Sequence, residues 1–84
     1  MKKGTVKKEI FVIAEEIFEV ELKKIDLTLG PEEYDFDSIL LIKFIRTVNE
    51  HFNIEVRLGE IFNAESLNEI FDVLENAAEN AMQI

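Results

Sequence analysis

The chain of 84 residues contains no cysteine and only three glycines. Without cysteine it can form neither a disulfide nor a thiolate metal site, and it has no cysteine nucleophile. The glycines are also too scattered to build a phosphate-binding loop, which needs several of them close together. Thiol-dependent enzymes, zinc–thiolate domains and P-loop proteins are therefore excluded.

Positive charge is scarce as well. The chain has nine lysines and arginines against 18 aspartates and glutamates, and its net charge is −9. Nucleic-acid binding is not expected, because contacts with phosphates require clustered basic residues. The negative charge favours solubility and electrostatic attraction to basic patches on other proteins.

Long hydrophobic runs are absent too. The apolar run at residues 10–14 is bounded by glutamates and is far shorter than a membrane span. The lysines near the N-terminus precede an amphipathic, acidic segment, which is not the pattern of a secretory signal. We therefore expect no membrane association and a cytoplasmic location.

The length and a hydrophobic content of 48% predict one domain, residues 1–84, with a single modest core. Apolar residues recur at helical spacing in three long segments, and a shorter segment fits one helical turn. The sequence thus predicts an all-α fold with three main helices, one short helix and a long first loop. The predicted bounds are about 5–22, 38–52, 59–63 and 66–80 for the helices and 23–37 for the loop.

Capping and periodicity support these helices. Thr5 is the expected N-cap of the first, and Ser66 with Glu69 predicts a capping box, each side chain bonding the other's backbone N–H, at the start of the last. Winding the second helix at about 100° per residue collects its apolar residues on one arc, which should be buried. That arc comprises Leu41, Phe44, Ile45, Val48 and Phe52.

The loop before the second helix contains the break Gly30-Pro31 and several acidic residues. A loop this long in a small domain is uncommon and is usually functional or held down by its own side chains. Leu27, Leu29, Tyr34 and Phe36 are the candidates to hold it. Its acidic end lacks the glycine and terminal glutamate of a calcium-binding loop, so no metal site is predicted.

At the end of this loop, Asp37 and Ser38 are both suited to cap a helix, because a side-chain oxygen can accept a hydrogen bond from a free N–H of the first turn. If Asp37 is the cap, Ser38 becomes the first helical residue and its hydroxyl can point outward. The positive end of the helix dipole would then tolerate a phosphodiester on Ser38. The simpler interpretation is that the pair only caps the helix.

The motif Asp37-Ser38-Ile39, followed by a helix that ends in His51-Phe52-Asn53-Ile54-Glu55-Val56, resembles the acyl and peptidyl carrier protein family. The resemblance extends from about Thr5 to Ala78. It implies a four-helix carrier bundle in which Ser38 bears 4′-phosphopantetheine derived from coenzyme A. It also implies that Asp37 contributes to recognition by the transferase that attaches this group.

A member of this family would be a discrete carrier and not an enzyme. It would hold acyl or aminoacyl groups as thioesters and move them between enzymes. Because the chain has no cysteine, the thiol must come from the prosthetic group. The implied partners are a phosphopantetheinyl transferase, an acyl- or aminoacyl-loading ligase and downstream synthase enzymes, and a monomer is expected.

A second arc of the second helix collects Ile39, Lys43, Arg46 and Glu50. An exposed aliphatic residue is ordinary in itself. Next to Ser38, however, Ile39 occupies the position with which the family contacts its partners, so we interpret this arc as a partner-contacting face.

The sequence departs from the family at two places. Asp35 stands where many carriers have glycine, so we expect a different backbone approach to the helix. Lys43 and Arg46 replace the acidic residues typical of fatty acid carriers, which favours a specialised polyketide or nonribosomal-peptide-like pathway, with a lipid pathway also open.

Two other functions stay open at this point. The chain could be an acidic helical interaction module that is never modified, docking through Ile39 and its neighbours. It could also be a small hydrolase that uses Ser38 and His51, the only histidine. We expect His51 to be a surface residue near the end of the second helix, without a catalytic role.

Overall fold

The computed structural model describes residues 3–82, and all regular structure in that range is helical. The prediction of an all-α fold with three long helices and one short helix is confirmed. None of the described helices has the length and apolar character needed to cross a membrane. The helices are α1 (Lys3–Phe18), α2 (Ser38–Phe52), α3 (Leu58–Phe62) and α4 (Leu67–Met82), and the first loop contains 3₁₀ turns at Leu22–Lys24 and Pro31–Tyr34.

Helix α1 ends earlier than the sequence predicts. It stops at Phe18 and not near residue 22, because Glu19 takes a left-handed conformation with φ of 55°. Beyond this turn, the Glu15 carboxylate accepts a hydrogen bond of 2.9 Å from the backbone N–H of Leu22. The predicted N-cap is also wrong, since Thr5 lies inside α1.

One hydrophobic core holds α1, α2 and α4 together. Helix α1 packs against both α2 and α4, and the short α3 packs against α4. Burying a large aliphatic or aromatic side chain contributes about 1.5–3 kcal/mol, so these contacts dominate stability. The largest fully buried side chains are Phe44, Ile10, Ile45, Ile61, Leu67, Ile70, Leu74, Val6 and Val48.

A chain of aromatic rings crosses this core. The centroids of Phe18 and Phe44 are 5.2 Å apart, and Phe44 meets Phe71 edge-on at 6.1 Å. Phe11 lies 4.9 Å from Phe71. Tilted and edge-on aromatic pairs add about 0.5–1.5 kcal/mol beyond the area they bury. The rings therefore tie all three long helices to one another.

The first loop is bound to α4 through its backbone. The carbonyl oxygen of Leu29 accepts from the N–H of Leu67 at 2.8 Å, and that of Leu27 accepts from Asn68 at 2.9 Å. These bonds satisfy N–H groups that have no partner inside the first turn of a helix. The side chain of Leu29, by contrast, is 40% exposed. Leu29 thus anchors the loop by its carbonyl and not by the expected side-chain packing.

The predicted capping box of α4 forms only in part. Ser66 Oγ accepts a hydrogen bond of 3.2 Å from the N–H of Glu69, as expected. The Glu69 carboxylate, however, accepts from the N–H of Glu65 at 2.6 Å and not from Ser66. Helix α4 still begins one residue after Ser66, close to the predicted start.

The connection from α2 to α3 is held against α2 by the hydrogen bonds of one side chain. Asn49 Nδ2 donates to the carbonyl of Val56 at 3.0 Å, and its Oδ1 accepts from the N–H of Val56 at the same distance. Helix α3 then begins at Leu58, one residue before the predicted start. It buries Ile61 and leaves Phe62 half exposed.

Candidate functional site

The start of α2 is set by Asp37. Its backbone is extended, with φ of −72° and ψ of 174°, and its Oδ1 accepts a hydrogen bond of 3.0 Å from the N–H of Leu40. The carbonyl of Asp37 accepts from Leu41, also at 3.0 Å, which is the first bond of the helix. Asp37 is therefore the N-cap, and α2 begins at Ser38 as predicted.

Ser38 is exposed at the first position of this helix. Because Asp37 supplies the cap, the Ser38 hydroxyl is not needed to hold the helix together. It borders an open depression of about 560 Å³ lined by Glu32, Asp35, Phe36, Asp37 and Ser38. Ser38 is therefore accessible to another molecule from the side of this depression.

The electrostatics of this depression has two opposing parts. The helix N-terminus favours a negative group at Ser38. The carboxylates of Glu32, Asp35 and Asp37 on its walls disfavour one. Because the site is open to solvent, both effects are weakened by water and salt, and neither dominates at Ser38.

Asp35 has the backbone conformation that a glycine would readily adopt. Its φ is 58° and its ψ is 30°, in the left-handed region, which aspartate tolerates better than most residues. The expectation that Asp35 changes the backbone approach to α2 therefore finds no support: a glycine could occupy this position with the same backbone angles.

The residues just before Ser38 are held in place by two aromatic side chains. Phe36 is buried, and its ring packs on Phe18 at the end of α1. The hydroxyl oxygen of Tyr34 accepts a hydrogen bond of 2.7 Å from the N–H of Asp26. The predicted anchoring by Tyr34 and Phe36 is thus present, and it places Ser38 at a defined point of the surface.

The predicted partner-contacting residues are brought together along α2. Ile39 is 75% exposed, and Lys43, Arg46 and Glu50 are exposed as well. All four line one shallow groove, together with Ile42 and Thr47, which were not predicted from the sequence. The signal for these two was available, since helical winding puts both at the edges of the same arc. We call these six residues the α2 stripe.

Ser38 and His51 are not brought together. His51 lies 13 residues further along α2, which is about 20 Å along the helix axis. Its Nε2 is 2.8 Å from Oε1 of Glu9 on α1. The two side chains therefore cannot form a hydrogen-bonded pair, because one helix holds them apart. This contradicts the hypothesis of a hydrolase that uses Ser38 and His51. His51 is exposed, as expected.

The chain contains one other serine, Ser66. Its Oγ is the N-cap acceptor of α4, so it has a structural task that Ser38 lacks. Of the two serine hydroxyls, only that of Ser38 is both exposed and unused by a helix cap.

Comparisons with known proteins agree on one family. Residues 8–74 match the family model described as a phosphopantetheine attachment site. The acyl carrier protein of Buchnera aphidicola subsp. Baizongia pistaciae (strain Bp) is 32% identical over 63 residues, which cover 75% of this chain and 81% of that protein. No solved structure matches the chain significantly.

Proposed function

The chain belongs to the acyl carrier protein family, whose members bear a covalently attached 4′-phosphopantetheine, and from this premise we propose that Ser38 is the attachment residue. The arm supplies a thiol that holds an acyl or aminoacyl group as a thioester. Since the chain contains no cysteine, no thiol of its own competes for the acyl group.

The observation that carries this proposal is the exposed, uncommitted hydroxyl of Ser38 at the first position of α2. In the attachment step, Ser38 Oγ forms a bond to the phosphorus of coenzyme A that bears pantetheine. The bond from that phosphorus to the oxygen leading to the second phosphate breaks, and adenosine 3′,5′-bisphosphate leaves. The serine proton goes to a base of the transferase, so the carrier itself needs no catalytic residue.

Asp37 has two roles in this proposal. Its Oδ1 holds the first turn of α2 through the N–H of Leu40. The same bond fixes the carboxylate beside Ser38, where an approaching transferase can contact it. The remaining carboxylate oxygen is open to that contact, since Asp37 is exposed.

Ile39, Lys43, Arg46 and Glu50 form the surface that partner enzymes contact. They follow Ser38 along the exposed side of α2, so an enzyme acting on the arm would meet them next. The partners are the transferase, an acyl- or aminoacyl-loading ligase and downstream synthases. Because Lys43 and Arg46 give this surface a basic character, we assign the carrier to a specialised polyketide, nonribosomal-peptide-like or lipid pathway. We place it in the cytoplasm.

The decisive experiment uses both serines. The purified chain is incubated with coenzyme A and a broad-specificity phosphopantetheinyl transferase, and intact mass spectrometry follows the adduct. We expect one pantetheine adduct on the wild type and on Ser66→Ala, and none on Ser38→Ala. Ser66→Ala is the matched control, because it removes the other serine hydroxyl and costs only a helix cap of about 1 kcal/mol.

If the wild type acquires no adduct while a control carrier is modified, Ser38 is not an attachment residue. The chain would then be an unmodified interaction module that uses the exposed Ile39. An adduct that persists in Ser38→Ala would place the attachment elsewhere.

A further inference from the structure

We propose that the α2 stripe docks on a protein surface that combines an apolar pocket for Ile39 with carboxylates facing Lys43 and Arg46. This inference rests on the proposed function, because it describes the partner that meets the carrier beside Ser38. It adds the chemistry of that partner: an acidic docking surface, although the carrier itself is acidic.

Ile39 is the most exposed large apolar side chain among the residues whose side chains the structure describes, at 75%. It contributes little to the core and presents an aliphatic side chain directly after the attachment serine. Burying it against a partner would contribute up to about 1.5–3 kcal/mol. The groove of the stripe has a volume of about 300 Å³ and is too open to enclose a small molecule, so it fits a protein surface better.

Lys43 and Arg46 form no salt bridge with any residue that the structure describes. Most of the other lysines and arginines whose side chains are described are unpaired too, and what sets Lys43 and Arg46 apart is that both line one groove with Ile39. Glu50 lies one turn beyond Arg46 on the same face, yet it does not pair with it. Both cations therefore remain available for carboxylates of another molecule.

The net charge of −9 does not decide the interaction at this surface. At physiological ionic strength charges more than about 8 Å away are largely screened. The stripe runs about 16 Å from Ile39 to Glu50 and carries two cations, Lys43 and Arg46, against the one carboxylate of Glu50, so a partner docked on it meets a local net charge of +1. Complementary charges at such a surface select the partner and its orientation.

The test uses two synthetic helical peptides as probes. Both have the same length and the same leucine-rich face, which is flanked by glutamates in one peptide and by lysines in the other. Each is titrated into ¹⁵N-labelled carrier that has been treated with the transferase, at low and at physiological salt. The protein variants are wild type, Lys43→Glu/Arg46→Glu and, as a control with the same change in net charge, Lys23→Glu/Lys24→Glu on the first loop.

We expect the glutamate peptide to shift the amide signals of the α2 stripe in the wild type and in the Lys23/Lys24 control. Binding of the glutamate peptide to the Lys43→Glu/Arg46→Glu variant should be about tenfold weaker, which corresponds to the loss of two surface ion pairs. The lysine peptide should bind to the α2 stripe of this variant instead. Binding of the lysine peptide to the wild-type stripe overturns the proposal, as does a lack of shifts in α2 with either peptide.

The mass of the treated carrier separates this inference from the proposed function. An adduct without binding of the glutamate peptide refutes only the acidic docking surface. A carrier that acquires no adduct but binds the glutamate peptide at the α2 stripe refutes the attachment at Ser38 and retains the docking surface.

Discussion

The ring of Phe36 stacks on the ring of Phe18, with centroids 4.3 Å apart and planes inclined by 17°. This contact joins the end of α1 to the residue that stands two positions before Ser38. Both side chains are buried. The position of the candidate attachment serine therefore depends on a hydrophobic contact made by the first loop, as well as on the helix that begins there.

Truncation of Phe36 should destabilise the fold and disorder the approach to Ser38. We expect Phe36→Ala to lower the free energy of unfolding by about 3–5 kcal/mol, as for other large-to-small core changes. Modification of Ser38 by the transferase should also become slower, at a temperature where the variant is still folded. Urea unfolding and the rate of adduct formation measure the two effects.

Phe36→Leu is the control for this prediction, because it keeps an apolar side chain and should cost less than Phe36→Ala. A variant Phe36→Ala that is as stable as the wild type would show that the stacked contact does not hold the loop.

The two proposed roles of Asp37 can be separated by two substitutions. Asp37→Ala should lower the free energy of unfolding by about 1 kcal/mol, since it removes the N-cap of α2, whereas Asp37→Asn should retain most of it. If the transferase recognises the carboxylate, adduct formation should slow in both variants. Normal modification of Asp37→Asn would leave Asp37 with the capping role alone.

The left-handed backbone at Asp35 predicts an unusual order of stability among variants. Asp35→Gly should be as stable as the wild type or slightly more stable, because glycine adopts φ of 58° without steric cost. Asp35→Ala should be less stable than Asp35→Gly by about 1 kcal/mol, since a Cβ atom is strained in this region. Thermal unfolding of the two variants gives the comparison. Equal stability of both would mean that the turn relaxes to another conformation.

Alanine substitutions of Ile39 and Phe44 should have very different effects on stability, although both are apolar residues of α2. Ile39→Ala should change the free energy of unfolding by less than about 0.5 kcal/mol, as surface substitutions usually do. Phe44→Ala should cost about 3–5 kcal/mol, because Phe44 is fully buried. Denaturant unfolding measures both values. A large loss of stability in Ile39→Ala would contradict the exposed position of this side chain.

The sequence predicts α2 well because its start and its buried face are encoded locally. Asp37 is an N-cap by residue type, and the arc containing Leu41 and Phe44 follows from helical winding. The exposure of Ser38 and Ile39 follows from the same two facts. The edges of the stripe, Ile42 and Thr47, were missed, because they lie where the buried and exposed arcs meet, and Phe52, predicted to be buried, is only partly buried at the last turn of α2.

Other features depend on contacts between distant parts of the chain. No glycine or proline marks the end of α1; Glu19 reverses the backbone there, and Glu15 binds Leu22 across the turn. The bonds from the first loop to α4 join residues 38 or more positions apart, such as Leu29 and Leu67. Backbone carbonyls carry no residue-type signal, so such pairings could not be predicted from the sequence.

The first loop should also make stability depend on pH through Asp26. The hydroxyl of Thr28 donates to Asp26 Oδ1 at 2.6 Å and the N–H of Thr28 at 2.9 Å, and these bonds lower the pKa of Asp26. A lowered pKa stabilises the folded state above the ordinary pKa of aspartate, and this contribution is lost as the pH falls through the folded pKa. Thr28→Val should therefore raise the pKa of Asp26 and reduce stability at neutral pH, but not where Asp26 is protonated in both proteins. Carboxyl NMR titration measures the change in the pKa of Asp26, and urea unfolding at neutral pH and at a pH where Asp26 is protonated measures the change in stability. An identical titration of Asp26 in the wild type and in Thr28→Val would contradict this prediction.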